Sequence, residues 1–339
     1  MSHLSVVMTT TEETGITDGD GSGSSRGIEF YFLVAVIVIG VIGTTANGFV
    51  LYALVASKQH KKHVLIVHQN VLDLISCFFL IINYSLKLYC NISLTGSTDY
   101  WLRILSILSE NVVYTVMYAS VINLAIISVE RYLRIVHPVW SKNKLRNWMI
   151  YSAMAFAWIA PIVCTLSMVF SATIVVDNEC NVMMIFASES APMVQFFCYL
   201  LAYYVMILLI CIFCYWRILV AVRRQARVMA GHSAAGSSAA AQAQSNQIQT
   251  SVIKTMILVC AFYAILSFPM NMVMLLFTFA PDLQLDTAFF VAMFLSFLYV
   301  CTNPFIYAVK FRPVKQVLIG MITCQKPTEQ ASQMPGKHT

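Results

Sequence analysis

Seven apolar stretches constrain this chain more than any other feature, because each exceeds the roughly 20 residues that carry a helix across a bilayer. They run Phe30–Ala56, Val64–Cys90, Trp101–Val136, Asn147–Ala172, Ala191–Val222, Thr250–Ala280 and Thr287–Lys310. In hydrocarbon every backbone polar group needs an internal partner, so such a stretch spans as a helix. Of the 339 residues, 59% are hydrophobic and 11% charged, against about 25% charged in a soluble domain. A soluble chain this apolar would expose large sticky patches. That excludes a soluble enzyme, a nucleic-acid binder and a disordered scaffold. The expected fold is an all-α membrane protein, a seven-transmembrane helix bundle.

Basic residues set the orientation of such a bundle. Of the 21 lysines and arginines, eighteen fall beside or beyond the ends of spans one, three, five and seven; Arg26, Lys87 and Arg103 do not. Glu130 and Glu329 are the only acids on that basic side. The expectation is a plasma-membrane protein with its N-terminus outside and its C-terminus in the cytoplasm.

The segments between and beyond the spans sort by composition. Residues 1–29 form a polar tail rich in Gly, Ser and Thr, with no apolar run near Met1, so the first span is expected to direct insertion. Within it Asp18, Asp20, Ser22, Gly23 and Glu29 fall at calcium-loop spacing. Their flanks do not read as helices, which favours a flexible acidic linker and no metal site. The Ala/Gly/Ser/Gln-rich stretch 229–249 reads as a mobile cytoplasmic loop. In 311–324, Phe311, Val314, Leu318 and Met321 recur at helical spacing opposite Arg312, Lys315 and Gln316. This predicts a short amphipathic helix on the membrane surface, with Pro313 in its first turn. Cys324 is a candidate for palmitoylation, an unmodified thiol being the equal alternative. Residues 325–339 complete a cytoplasmic tail.

No catalytic constellation is present: neither H-E-x-x-H nor G-x-S-x-G occurs, and no convincing carboxylate pair lies within the spans. The polar residues of the spans form another pattern. Asn47, Asp73 and the run Asn303-Pro304-Phe305-Ile306-Tyr307 are costly in hydrocarbon, a charge at mid-membrane by about 3 kcal/mol. Asp73 must therefore face protein, water or an ion. Two readings stand, a structural hydrogen-bond knot and a hydrated polar switch. Pro269 and Pro304 each delete a helix hydrogen bond and supply kinks. Span three carries Ser106, Ser109, Glu110, Asn111, Ser120 and Asn123, which places it inside the bundle. Asn91-Ile92-Ser93 is a glycosylation sequon in the loop after span two, while Asn83-Tyr84-Ser85 lies within the span and is expected to be inaccessible.

Asn47 with Gly48, Asp73, Glu130-Arg131-Tyr132, Trp158 with Pro161, Pro269 and Asn303 to Tyr307 occur in order on six of the seven spans. Together they resemble rhodopsin-like (class A) G-protein-coupled receptors, over roughly residues 30 to 324. The resemblance implies that Arg131 and Glu130 form a cytoplasmic lock, and that Tyr215 and Tyr307 help hold Arg131 in the active state. It implies an allosteric sodium pocket of Asp73, Ser120 and Asn303. A heterotrimeric G protein is the implied partner, with arrestin and receptor kinases behind it, and membrane lipid around the bundle. An Arg and an acid at one helix end can pair or part, which is a two-state element a partner can bias.

The chain also departs from the family. Ser267 replaces the usual toggle tryptophan of span six, and Ile207 stands at the usual proline of span five. The usual cysteine at the outer end of span three is missing, no Cys occurring from Asn91 to Ile162. The family's bridge from the second outer loop would then run from Cys180 to Cys90, favoured over two free thiols or a Cys180–Cys198 bridge. Val113 occupies the place of the aspartate of amine receptors, and Phe297 that of the retinal lysine of opsins. Candidate pocket groups are Asn83, Tyr84, Lys87, Glu110, Asn111, Tyr114, Gln195 and Asn271, each equally readable as an inter-helix polar residue. Acidic outer segments (Asp99, Asp177, Glu179, Glu189, Asp282, Asp286) favour a basic peptide ligand, with a lipid or small metabolite as the alternative. A transporter or channel is the competing class; no internal repeat supports it.

Overall fold

The computed structural model describes residues 21–61, 63–92, 99–171, 191–230, 238–280, 283, 285–310 and 312–322. Seven of its helices are long and apolar enough to cross a membrane. Span one is Gly21–Ala56, span two Val64–Ile92, span three Asp99–Val136 and span four Asn147–Ser171. Span five is built of Ala191–Tyr199, a π segment Leu200–Val205, and Met206–Ala230. Span six is Ser238–Phe279 and span seven Asp286–Lys310. A short helix, Pro138–Lys144, joins spans three and four, and the expected surface helix follows span seven as Arg312–Ile322.

Two stretches differ from expectation. Residues 21–29 continue span one as helix, and residues 238–249 continue span six. Extending a formed helix costs no nucleation, and Ala and Gln are good helix formers once a span supplies the nucleus. The linker-like composition of the second stretch is therefore helical. Helix at Ser22, Gly23 and Glu29 also removes the loop a calcium site would need.

Spans two, three and seven form the interior, with 56%, 56% and 50% of their most apolar windows buried, against 17% for span four. These are the spans rich in polar residues, as the cost of polar groups in hydrocarbon demands. Span one packs on spans two and seven, span three on two, four and five, and span six on seven. Gly43 lets the first of these contacts close: a Cβ there would lie 2.6 Å from Cys77 Sγ and 2.9 Å from Cys301 Sγ. The surface helix seats Val314, Val317 and Leu318 against the bundle, while Met321 stays exposed.

Candidate functional site

Proline chemistry explains the first polar contact. Pro304 cannot donate to the carbonyl of Val300, four residues earlier in span seven. That carbonyl instead accepts from Asn47 Nδ2 of span one at 3.4 Å. Asn47 Oδ1 accepts in turn from Asn70 Nδ2 of span two at 2.7 Å. Asn47 thus ties three spans at the place where the kink frees a backbone acceptor.

At mid-bundle Asp73 is fully buried and ringed by donors. Ser120 of span three donates to Oδ1 at 2.7 Å, and Asn303 Nδ2 of span seven to Oδ2 at 2.8 Å. Gln69 Nε2, one turn earlier on span two, donates to Oδ1 at 3.2 Å and also to Ser120 Oγ. The three residues assigned to a sodium pocket are brought together, and a fourth stands among them. Gln69 Oε1 accepts from Asn123 Nδ2 at 2.9 Å. His68 Nδ1 meets Asn123 Oδ1 at 2.9 Å, and Trp158 Nε1 of span four donates to His68 Nε2 at 2.9 Å. Since Nε2 accepts, Nδ1 carries the imidazole proton and donates. The hydrogen bonds run in one sense from Trp158 through His68, Asn123 and Gln69 to Asp73.

At the basic end, Arg131 Nε lies 3.2 Å from Glu130 Oε2 without hydrogen-bond alignment. Arg134 takes the other oxygen, Oε1, of the same carboxylate. An Arg131 terminal nitrogen donates to His63 Nδ1, just before span two, at 3.1 Å. Tyr132 turns away to His137 Nε2 at 3.0 Å. Among the described residues neither the Tyr215 nor the Tyr307 hydroxyl hydrogen-bonds Arg131. The Tyr215 hydroxyl is 3.2 Å from Ser128 Oγ, and the buried Tyr307 hydroxyl has no partner among the described residues.

At the opposite end Lys87 Nζ pairs with Glu110 at 2.9 Å and lies 5.3 Å from the centre of the Tyr84 ring. Asn83 Oδ1 accepts from Ser109 at 3.0 Å and Ser106 at 3.3 Å, while Asn83 Nδ2 is buried with no partner among the described residues. Asn271 Nδ2 donates to the carbonyl of Ser267 in its own helix, and Thr115 to that of Asn111. Gln195 is half-buried on span five. Phe297 packs edge-on against Tyr84, ring centres 5.5 Å apart. From this end a tyrosine column descends. Tyr114 stacks near Tyr118, whose ring centre lies 4.4 Å from that of Tyr203. Tyr203 sits in the π segment of span five, where the regular hydrogen-bond ladder is interrupted. Its carbonyl accepts from the Tyr263 hydroxyl of span six, and Tyr263 packs on Tyr299 at 5.2 Å. Thus the distortion of span five arises without a proline at Ile207, and Tyr263 supplies span six with a large core aromatic one turn from Ser267.

Cys180 and Cys324 fall outside the described residues, as do the side chains of Cys90 and Asn91, so the bridge, lipid and glycan assignments fall there too. Among the described residues Cys198 is exposed and in no disulfide. Sequence reasoning passed over Gln69, His63, Tyr263 and Tyr299. Gln69 carried a readable signal, since an amide four residues from Asp73 lies on the same helix face.

Seven membrane-length helices with a polar core centred on spans two, three and seven define a multi-pass membrane protein of receptor architecture. A model of the seven-transmembrane receptor (rhodopsin) family matches residues 46–307, and the chain belongs to that family, one of receptors rather than enzymes. Squid rhodopsin superposes with a TM-score of 0.72 at 18% identity, over 99% of this chain and 98% of that one. The C3a anaphylatoxin chemotactic receptor of Oncorhynchus mykiss is 27% identical over 158 residues, which is 46% of this chain and 42% of that receptor. The chain therefore matches less than half the length of that relative.

Proposed function

We propose that this chain is a cell-surface receptor that binds an extracellular ligand at the Lys87 end and activates heterotrimeric G proteins at the Arg131 end. The observation that supports it most is the divided ion pair at the basic end. Glu130 is shared by Arg131 and Arg134, and Arg131 is shared by Glu130 and His63. Such a contact has alternatives of similar energy, so a docking partner needs little work to re-aim Arg131. The excess of Lys and Arg at this end orients it to the cytoplasm, where arrestin and receptor kinases would also act. The same orientation puts Asn91 outside, as the carrier of any N-glycan. The tyrosine column from Tyr114 to Tyr299 offers a packed route from the Lys87 end to the polar core.

A basic peptide is the favoured ligand. The acids of the outer segments would steer a cation, and the partial relative is a receptor for C3a anaphylatoxin, itself a peptide. A screen of basic peptides, lipids and small metabolites against cells reporting several G-protein couplings tests this. The expected result is a saturable response to a basic peptide that weakens at least ten-fold in potency with Glu110→Gln. Responses confined to lipids or metabolites would reject the peptide assignment and leave the receptor assignment standing.

A further inference from the structure

A cation held by Asp73 needs oxygen lone pairs turned toward it. The carboxylate meets the reverse, although Asn303 Oδ1, on the amide that donates to Oδ2, is buried with no partner among the described residues. Asp73 Oδ1 receives the Ser120 hydroxyl and the Gln69 amide, and Asp73 Oδ2 receives the Asn303 amide. Ser120 Oγ, whose proton goes to Asp73, spends its lone pair on Gln69 Nε2. Gln69 is fully buried and cannot simply flip its amide. Its oxygen is engaged by Asn123, whose own orientation is fixed by the Leu65 carbonyl at 3.2 Å and by His68. The His68 tautomer is set by Trp158. Three spans, two, three and four, therefore hold the positive end of one neutral amide against the carboxylate. To enter between Asp73 and Ser120, an ion would have to displace that amide from both and leave its donors unpaired in a buried site. The residues at Asp73 do not fit a bound sodium ion.

We propose that the Gln69 amide stands in for the monovalent cation at Asp73, so that this chain is insensitive to sodium, and that removing Gln69 creates a sodium site. The test is thermal unfolding of the purified full-length chain, with sodium chloride replacing choline chloride at constant ionic strength, and potassium as the control ion. Ligand that binds only the folded state raises Tm as it saturates, so the readout does not depend on signalling. Wild type is expected to give a flat titration. Gln69→Leu and Gln69→Ala are each expected to gain a saturable, sodium-selective rise of a few degrees that Asp73→Asn removes. A sodium-selective rise in wild type that Asp73→Asn abolishes would overturn the proposal. So would folded Gln69 variants that stay flat. Should neither variant fold, the wild-type titration decides alone, a flat line supporting the proposal and a saturable rise defeating it.

Discussion

At the residue scale, the basic end turns on how few partners Arg131 has. The sequence offers Glu130 as its neighbour and no acid from Asn246 to Lys254 toward the basic end of span six. The structure adds His63, which accepts from Arg131, and Arg134, which competes for Glu130. Removing the His63 acceptor costs the paired arrangement about 1 kcal/mol, or about five-fold in population. His63→Ala is therefore expected to raise ligand-free second-messenger signalling several-fold at matched surface expression. Arg134→Ala, which frees Glu130 for Arg131, is expected to lower it. Signalling unchanged in both variants would remove these contacts from the switch. His63 escaped sequence reasoning because it lies sixty-eight positions from Arg131, and nothing local announces a pairing across two helix ends.

At the element scale, helix approach is set by what the smallest residues leave open. Gly43 places the span-one backbone against Cys77 and Cys301, whose sulfurs are 3.6 Å apart. A methyl group there must move spans two and seven, and overpacking of this kind costs about 1–3 kcal/mol. Gly43→Ala is expected to lower Tm in thermal unfolding of the detergent-purified chain, and Gly43→Ala with Cys77→Ala to recover part of the loss. A single variant as stable as wild type would show that this contact is not tight. The spans themselves were legible, because hydrocarbon admits only long apolar helices. Their ends were not. Residues 238–249 read as linker by composition, yet Ala and Gln propagate a helix that a neighbouring span has already nucleated. The π segment of span five was equally hidden, since no proline or glycine marks Leu200–Val205.

At the scale of the whole molecule, the seven-helix fold and the family followed from the motifs on six spans, and the match over residues 46–307 bears that out. The polar core was legible only in part. Asp73, Ser120 and Asn303 were picked out by type and order, whereas the chain of contacts through Gln69, Asn123, His68 and Trp158 depends on the relative rotation of three helices, which no single span encodes. The proposed function has this bundle carry a signal to a G protein through Arg131. Its most direct measurement is ligand-free GDP release from purified heterotrimeric G proteins of each subtype, with the chain reconstituted in lipid nanodiscs. Release faster than with empty nanodiscs is expected for at least one subtype, with loss of that acceleration in Arg131→Ala. Rates equal to those of empty nanodiscs for every subtype, with the chain folded, would contradict it, as would an acceleration that survives in Arg131→Ala.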